Sequence, residues 1–173
     1  MPTPTADKFE TFNDPVLREM LSAAQEYASS YKNGGGGWLS FLGSSGTGKT
    51  FLATKVCRHL GGTVKAWPKF MARMRTGDYH IYDSVESLAR TDGVLLLDEI
   101  GVGNDRKDFG IDLLLQVIEA RRRRPTLLTS NLSLAGLAAI DMRLSSRLLR
   151  YGRVVKCETK DFALRETPTC SNA

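Results

Sequence analysis

Gly43-Ser44-Ser45-Gly46-Thr47-Gly48-Lys49-Thr50 has the pattern of a phosphate-binding loop: a Gly, four free positions, then Gly-Lys-Thr. Small residues let successive backbone N–H groups turn inward around an anion, and the helix that follows offers the same anion the positive end of its dipole. Lys49 is placed to reach β and γ phosphates, and the Thr50 hydroxyl to ligate Mg²⁺. With Phe51, which opens the helix, these are the candidate nucleotide-binding residues. Asp98, at the tip of the apolar run Gly93-Val94-Leu95-Leu96-Leu97, is the natural partner of Thr50 at the metal. Glu99 follows it. A second carboxylate there can take a proton from, or orient, a water attacking the γ-phosphate. Asn131 ends another run, Thr126-Leu127-Leu128-Thr129-Ser130, and its amide could hold the same water or the γ-phosphate. The reaction then lacks a cation for the transition-state charge, a component worth on the order of 10³–10⁵-fold. Arg143 and Arg147, spaced i and i+4 on one helix face, are the candidates.

These residues are useful only if strands and helices bring them together. Trp38 to Leu42 reads as the strand before the loop, and Phe51 to Val56 as its helix. Asn13-Asp14-Pro15 is a helix start, a capping side chain followed by Pro at the first helical position. Val16, Leu17, Met20, Leu21, Ala24, Tyr27, Ala28 and Tyr31 then recur at helical spacing. Asn33-Gly34-Gly35-Gly36-Gly37 ends that helix and reads as a flexible connector. Thr63 to Trp67 reads as a second strand, Lys69 to Arg75 as a short basic helix opened by Pro68, and Ser84 to Arg90 as another with Ser84 as its cap. The Gly93–Leu97 run is a strand buried on both faces. Gly101 to Asp108 reads as a polar loop. The helix after it carries Ile111, Leu114, Leu115 and Ile118 on one face and ends in Arg121-Arg122-Arg123-Arg124 before Pro125. Thr126 to Asn131 is a fourth strand, Ser133 and Asp141 start two further helices, and Gly152 to Lys156 is a fifth strand. Strands alternating with helices imply a parallel α/β sheet whose ligands sit at the carboxyl ends of the strands. That edge collects the loop, Asp98–Glu99 and Asn131.

At 173 residues the chain is expected to be one domain with a real core, and its 42% apolar and 25% charged residues are ordinary for a soluble globular protein. No apolar run approaches the roughly 20 residues that span a bilayer. The first residues lack a basic-then-apolar signal pattern. Cys57, Cys157 and Cys170 are scattered without metal-type pairing and read as free thiols in a reducing compartment. The expectation is a cytoplasmic protein that does not contact a membrane. The net charge of +5 is a mild bias toward an anionic partner.

Three segments after the loop then acquire a joint meaning: Val94-Leu95-Leu96-Leu97-Asp98-Glu99-Ile100-Gly101, Thr129-Ser130-Asn131-Leu132-Ser133, and Arg143-Leu144-Ser145-Ser146-Arg147-Leu148-Leu149-Arg150-Tyr151-Gly152-Arg153-Val154-Val155. In this order they resemble an AAA+ ATPase, and more closely the DnaC/IstB-like group of replicative helicase loaders and transposition helper ATPases. Phe9-Glu10-Thr11-Phe12 resembles that group's lead-in to the loop. The resemblance covers about residues 9 to 165. It implies an α/β fold: a P-loop NTPase, an AAA+ core with a five-stranded parallel sheet between helices and no C-terminal lid domain. Residues 1–12 would be an N-terminal arm, 13–165 the core and 166–173 a loose tail. The resemblance makes Lys49 and Thr50 the Walker A pair, Asp98 and Glu99 the Walker B pair, and Asn131 sensor 1. Arg147 matches the arginine finger that acts on ATP bound by a neighbouring subunit, and Arg143 is a second basic residue of the same motif. It implies ATP and Mg²⁺ as cofactors and ATP hydrolysis stimulated by oligomerisation and DNA. The partners it implies are a replicative helicase or a transposase, single-stranded DNA, and further copies of the chain in a ring or spiral. A third reading is a nucleotide-gated scaffold of a helicase with little hydrolysis.

Two basic stretches stay open. Lys65, Lys69, Arg73 and Arg75, around the short helix after the second strand, suit phosphates of single-stranded DNA without reading sequence, and equally a solvated face. Arg121–Arg124 invites a DNA reading and a subunit-contact reading. The favoured reading is a cationic helix end opposing its own dipole.

Overall fold

The structure, a computed structural model, describes residues 9, 11, 13–75, 81–101 and 108–162. Its elements in chain order are α1 (Pro15–Lys32), β1 (Trp38–Leu42), α2 (Lys49–His59), β2 (Thr63–Ala66), α3 (Trp67–Arg75), α4 (Ile81–Arg90), β3 (Leu95–Asp98), α5 (Asp108–Ala120), β4 (Thr126–Ser130), α6 (Leu134–Ile140), α7 (Met142–Tyr151) and β5 (Gly152–Lys156). Among the described residues the strands form one five-stranded sheet in the order β2-β3-β4-β1-β5, parallel throughout. The expected strands are all present.

The register decides what meets at the site. Leu97 pairs with Leu128, and Leu42 with Ser130, so β4 lies between the loop strand β1 and the acidic strand β3. Period-2 alternation sends successive residues to opposite faces. Leu95, Leu97, Leu128, Trp38 and Leu42 pack with α3, α4, α5, α6 and α7. Val94, Leu96, Leu127, Leu39 and Phe41 pack with α1 and α2. Both faces are covered, which explains why β3 reads as a continuous apolar run.

Local chemistry starts the helices where the sequence indicates. Asp14 Oδ1 accepts the N–H groups of Val16 (2.8 Å) and Leu17, with Pro15 following the cap. Ser133 caps α6 through Gly136 N–H at 3.1 Å, and Asp141 caps α7 through Arg143 N–H at 2.8 Å. One expected cap is corrected: α4 begins at Ile81, so Ser84 lies inside the helix. The glycine connector is tied at both ends. Gly35 N–H bonds Ser30 O, and Gly37 O accepts from Thr126 N–H.

Among the described residues no lid domain follows β5, and no helix is long and apolar enough to cross a membrane. The expected arm (apart from Phe9 and Thr11), the loop interior at 102–107, the tail 166–173, Cys170 and the Arg75 side chain lie outside the described residues. Cys57 and Cys157 are buried free thiols, and burial pushes them up to about 11 and about 12.

Candidate functional site

The loop between β1 and α2 has the geometry of an anion cradle. Gly48, the residue before α2, sits at φ 83° and gives the helix no side-chain cap. The first N–H groups of α2 therefore have no side-chain acceptor, the condition under which a helix start binds phosphate. A side chain at Gly48 would press within 2.9 Å of the Phe9 ring, and one at Gly46 (φ 71°) would run into the Asp161 carboxylate. Close approach and left-handed backbone both demand glycine here. The segment after β5 lies across the loop. Cys157 N–H bonds Leu42 O at 2.7 Å, and Phe162 N–H bonds Gly46 O at 2.9 Å. Lys49 is almost wholly buried. Its Nζ donates to Gly43 O at 2.9 Å and to Ser44 O. Burial lowers its pKa, opposed by the nearby carboxylates of Glu99 and Asp98.

The acids stand opposite. Thr50 Oγ1 donates to Asp98 Oδ1 at 2.9 Å, so the two residues expected at the metal touch. Glu99 sits at φ 60°, unusual for a residue with a Cβ and costing on the order of 1–3 kcal/mol. Three bonds hold that conformation. Glu99 N–H donates to Thr129 Oγ1 at 2.9 Å, Ile100 N–H to Thr129 O at 3.0 Å, and Ser130 Oγ to Ile100 O at 2.8 Å.

A cavity of about 880 Å³ opens between these groups. Its wall includes Ser45 to Phe51, Glu99 and Asn131, so loop, acid and amide share one space although they are far apart in sequence. Gly43, Ser44 and Asp98 do not line it. That volume suits a nucleotide-sized ligand. Among the described residues no cluster of three or more His, Cys, Asp or Glu could hold a metal by itself. A Thr hydroxyl beside one carboxylate, with phosphate oxygens completing the shell, is the donor set Mg²⁺ takes in phosphate sites, and Thr50 with Asp98 fits it.

The family model described as "ATPase family associated with various cellular activities (AAA)" matches residues 39–160. The chain belongs to the AAA family of ATPases. Three solved structures share its fold. A structure of DnaI is 18% identical with 93% of each chain covered and a TM-score of 0.71. The DnaC helicase loader is 18% identical, with 89% of this chain and 96% of that one covered and a TM-score of 0.73. Domain III of the Thermotoga maritima replication initiation protein DnaA is 21% identical, with 93% and 70% covered and a TM-score of 0.67. No curated protein sequence matches this chain. The fold expected from the sequence is therefore the AAA fold observed.

The remaining candidate residues of this AAA domain are placed unevenly. Arg143 and Arg147 share α7, as their spacing requires, and neither lines the cavity. Arg143 grips its own cap: Nε and Nη2 bond the Asp141 carboxylate at 2.7–3.0 Å, and Nη2 also reaches Asp112 at 3.2 Å. That pairing holds the Asp141 carboxyl below its usual range. Arg147 bonds Glu119 instead. Lys69 and Arg73 are exposed on α3, whose other face buries Trp67, Met71 and Met74, while Lys65 is half-buried on β2. The arginine run does not form one cationic end. Arg121 is fully buried and donates to carbonyls of other segments, so the dipole reading is corrected for that residue.

Sequence reasoning passed over several wall residues. Thr54, Lys55 and Arg58 line the cavity from the same face of α2 as Phe51, and Lys55 Nζ lies 5.0 Å from the Phe51 ring centre. Their i, i+3, i+4, i+7 spacing was a usable signal. Phe9 and Phe162 close the cavity with ring centres 5.7 Å apart, and no periodicity joins residues so distant.

Thr129 was passed over as a site residue too. It is buried, and its hydroxyl donates to Asp98 Oδ1 at 2.7 Å while accepting the Glu99 N–H. One side chain thus orients both acids. Thr129→Val keeps the shape but strands the Glu99 N–H, an expected loss of about 1–3 kcal/mol in unfolding free energy. ATP turnover should fall with it by roughly 10-fold, since the Glu99 backbone loses an anchor. Urea unfolding and steady-state phosphate release check the two effects, and wild-type values in both would remove Thr129 from the site.

Proposed function

We propose that this chain hydrolyses ATP with Mg²⁺ in a self-assembled ring or spiral and places a replicative helicase on single-stranded DNA. The observation that carries the hydrolytic part is the shared space of Lys49, Thr50, Glu99 and Asn131, with Thr50 bonded to Asp98. Loop N–H groups and Lys49 hold the phosphates, and a polyphosphate supplies counter-charge in direct contact with the buried ammonium, whose bonds go to neutral oxygens. Thr50 and Asp98 hold the metal, which would neutralise charge on the phosphate oxygens. Glu99 takes the proton of the attacking water, and Asn131 orients it.

Self-association is supported by the position of Arg147. It stands outside the cavity wall, on a helix that exposes Met142 (77%) and Leu149 (60%). The remaining exposed large apolar side chain among the described residues is Phe51, at the cavity. Exposed apolar side chains on α7, outside the cavity wall, and at the cavity suit a head-to-tail contact, which closes into rings or continues as a helix. In that contact α7 of one copy faces the cavity of the next, and Arg147 adds a cation to those already in the wall, Lys49, Lys55 and Arg58. The helicase role is supported by the shared fold with DnaI and the DnaC helicase loader, and the DNA role by the exposed cations of α3. A more distant neighbour is the replication initiator DnaA bound to AMPPCP and single-stranded DNA.

A mixing experiment tests the engine. Arg147→Ala and Lys49→Ala should each lose turnover alone, by about 10³-fold or more for the former. An equimolar mixture should regain a clear fraction, because an intact site then meets an intact Arg147. No recovery on mixing sinks the trans arrangement. Pull-down in ATP with a replicative helicase and a transposase tests the partner, and retention of the transposase alone overturns the loader assignment.

A further inference from the structure

Arg147 is oriented, and what orients it has no role in the site described so far. Its Nε donates to Glu119 Oε2 at 2.9 Å, from α7 across to α5. Tyr151, one turn later on α7, donates its phenol to the same oxygen at 2.7 Å. Nη1 has only a long bond, 3.4 Å to Arg143 O, and Nη2 has no bond among the described residues. The grip is therefore on one edge of the guanidinium. Arg143 differs: its Nε and Nη2 are both committed to Asp141, a two-point grip that leaves less of the fork for an outside anion.

We propose that Glu119, seconded by Tyr151, is the positioning residue for Arg147: it fixes the Nε edge and presents the Nη edge to the phosphates of a neighbouring copy. This rests on the reading that Arg147 acts in trans. The physical logic is preorganisation. A free arginine side chain carries about 2 kcal/mol of rotamer entropy. A finger already pinned at Nε loses less of that freedom when the transition-state charge appears. The Glu119 carboxyl is suited to the task. The Tyr151 and Arg147 bonds hold it below the usual carboxylate range, so it stays ionised, and Arg122 at 3.7 Å adds a second cation on Oε1. A single Oε2 shared between phenol and guanidinium also explains why a tyrosine ends α7 beside β5.

The test uses the full chain and reads ATP turnover over a protein-concentration series, with kcat and KM separated and melting temperature followed in parallel. Glu119→Ala is expected to lower kcat by roughly 10- to 100-fold, the scale of a misplaced catalytic group. KM for ATP should stay within about twofold, because ATP is bound by a different subunit's loop. Glu119→Gln, which keeps an oxygen acceptor for Nε, should recover most of the loss, and it serves as the folded control if Glu119→Ala melts early. Adding Glu119→Ala to Arg147→Ala should change nothing further, since Glu119 acts through Arg147. Wild-type kcat in Glu119→Ala, or additive losses in the double variant, overturns the proposal while leaving the trans finger standing. Wild-type turnover in Arg147→Ala overturns the finger itself and this inference with it.

Discussion

Glu99→Gln is expected to lower ATP turnover by about 10²–10⁴-fold, the usual worth of a positioned general base, with ATP affinity held within a few-fold. The amide keeps the shape and one oxygen of the carboxylate but cannot take a proton at neutral pH. Its backbone remains anchored, because the bonds that hold Glu99 at φ 60° come from Thr129 and Ser130 and involve no Glu99 side-chain atom. The phosphate-binding groups are also untouched: Lys49 and the start of α2 belong to other segments, and Thr50 keeps its bond to Asp98. Steady-state phosphate release against equilibrium nucleotide binding separates the two effects. Loss of both together would mean that Glu99 is a structural acid. Full turnover would move the reaction's base elsewhere in the cavity. Helicase delivery unaffected by Glu99→Gln would favour a nucleotide-gated scaffold over an engine driven by hydrolysis.

Those residues were legible because each has a local signature. The loop spacing, the apolar run that ends in Asp98-Glu99 and the Pro15 start can all be read within ten residues, and the structure places them as the pattern requires. Register and topology could not be read this way. That β4 separates β1 from β3, and so puts Thr129 under both acids, depends on pairings between residues about 30 apart (β3 with β4) and nearly 90 apart (β1 with β4) in the chain. The same limit hid the Phe9–Phe162 wall and the crossing of the loop by the segment after β5. The α4 start was misplaced because Ser84 is a good cap residue in a helix that already has a turn before it. Arg121 was misread for a related reason. Charge patterning along one helix says nothing about which carbonyls lie across from it.

Arg121→Met is expected to destabilise the protein by about 3–5 kcal/mol without altering the chemistry of the site. Arg121 is wholly inaccessible to solvent and has no carboxylate partner in reach of a salt bridge among the described residues. Neutral oxygens hold it instead. Nη1 donates to Thr91 O at 2.8 Å, Nη2 to Pro125 O at 2.9 Å and Gly93 O at 3.1 Å, and Nε to Thr126 Oγ1 at 3.1 Å. Weaker bonds at 3.4 Å reach Leu88 O and Ala89 O in the last turn of α4, where carbonyls lack helical partners. The guanidinium thus ties α4 to the amino ends of β3 and β4. Burial, with the charge of Arg124, pushes it down to about 10, so it remains charged at neutral pH. Methionine fills similar volume but leaves Gly93 O without its donor and Thr91 O with only a 3.5 Å bond from Arg124, each costing roughly 1–3 kcal/mol before water recovers part of it, while Pro125 O keeps the Leu95 N–H. Against a typical total of about 5–15 kcal/mol this is a large share. At roughly 2–4 °C per kcal/mol for a chain of this size, the melting temperature should drop by about 6–20 °C. Arg122→Met, one residue on and exposed, should stay within about 0.5 kcal/mol of wild type. Because the strand ends that Arg121 joins are opposite to the nucleotide edge, ATP affinity of the folded Arg121→Met protein should match wild type at low temperature. Equal melting temperatures for the two variants would mean that the buried guanidinium contributes no more than its exposed neighbour. Weakened ATP binding in the folded protein would mean that the amino ends of β3 and β4 set the position of Asp98 and the loop at the other end of the sheet.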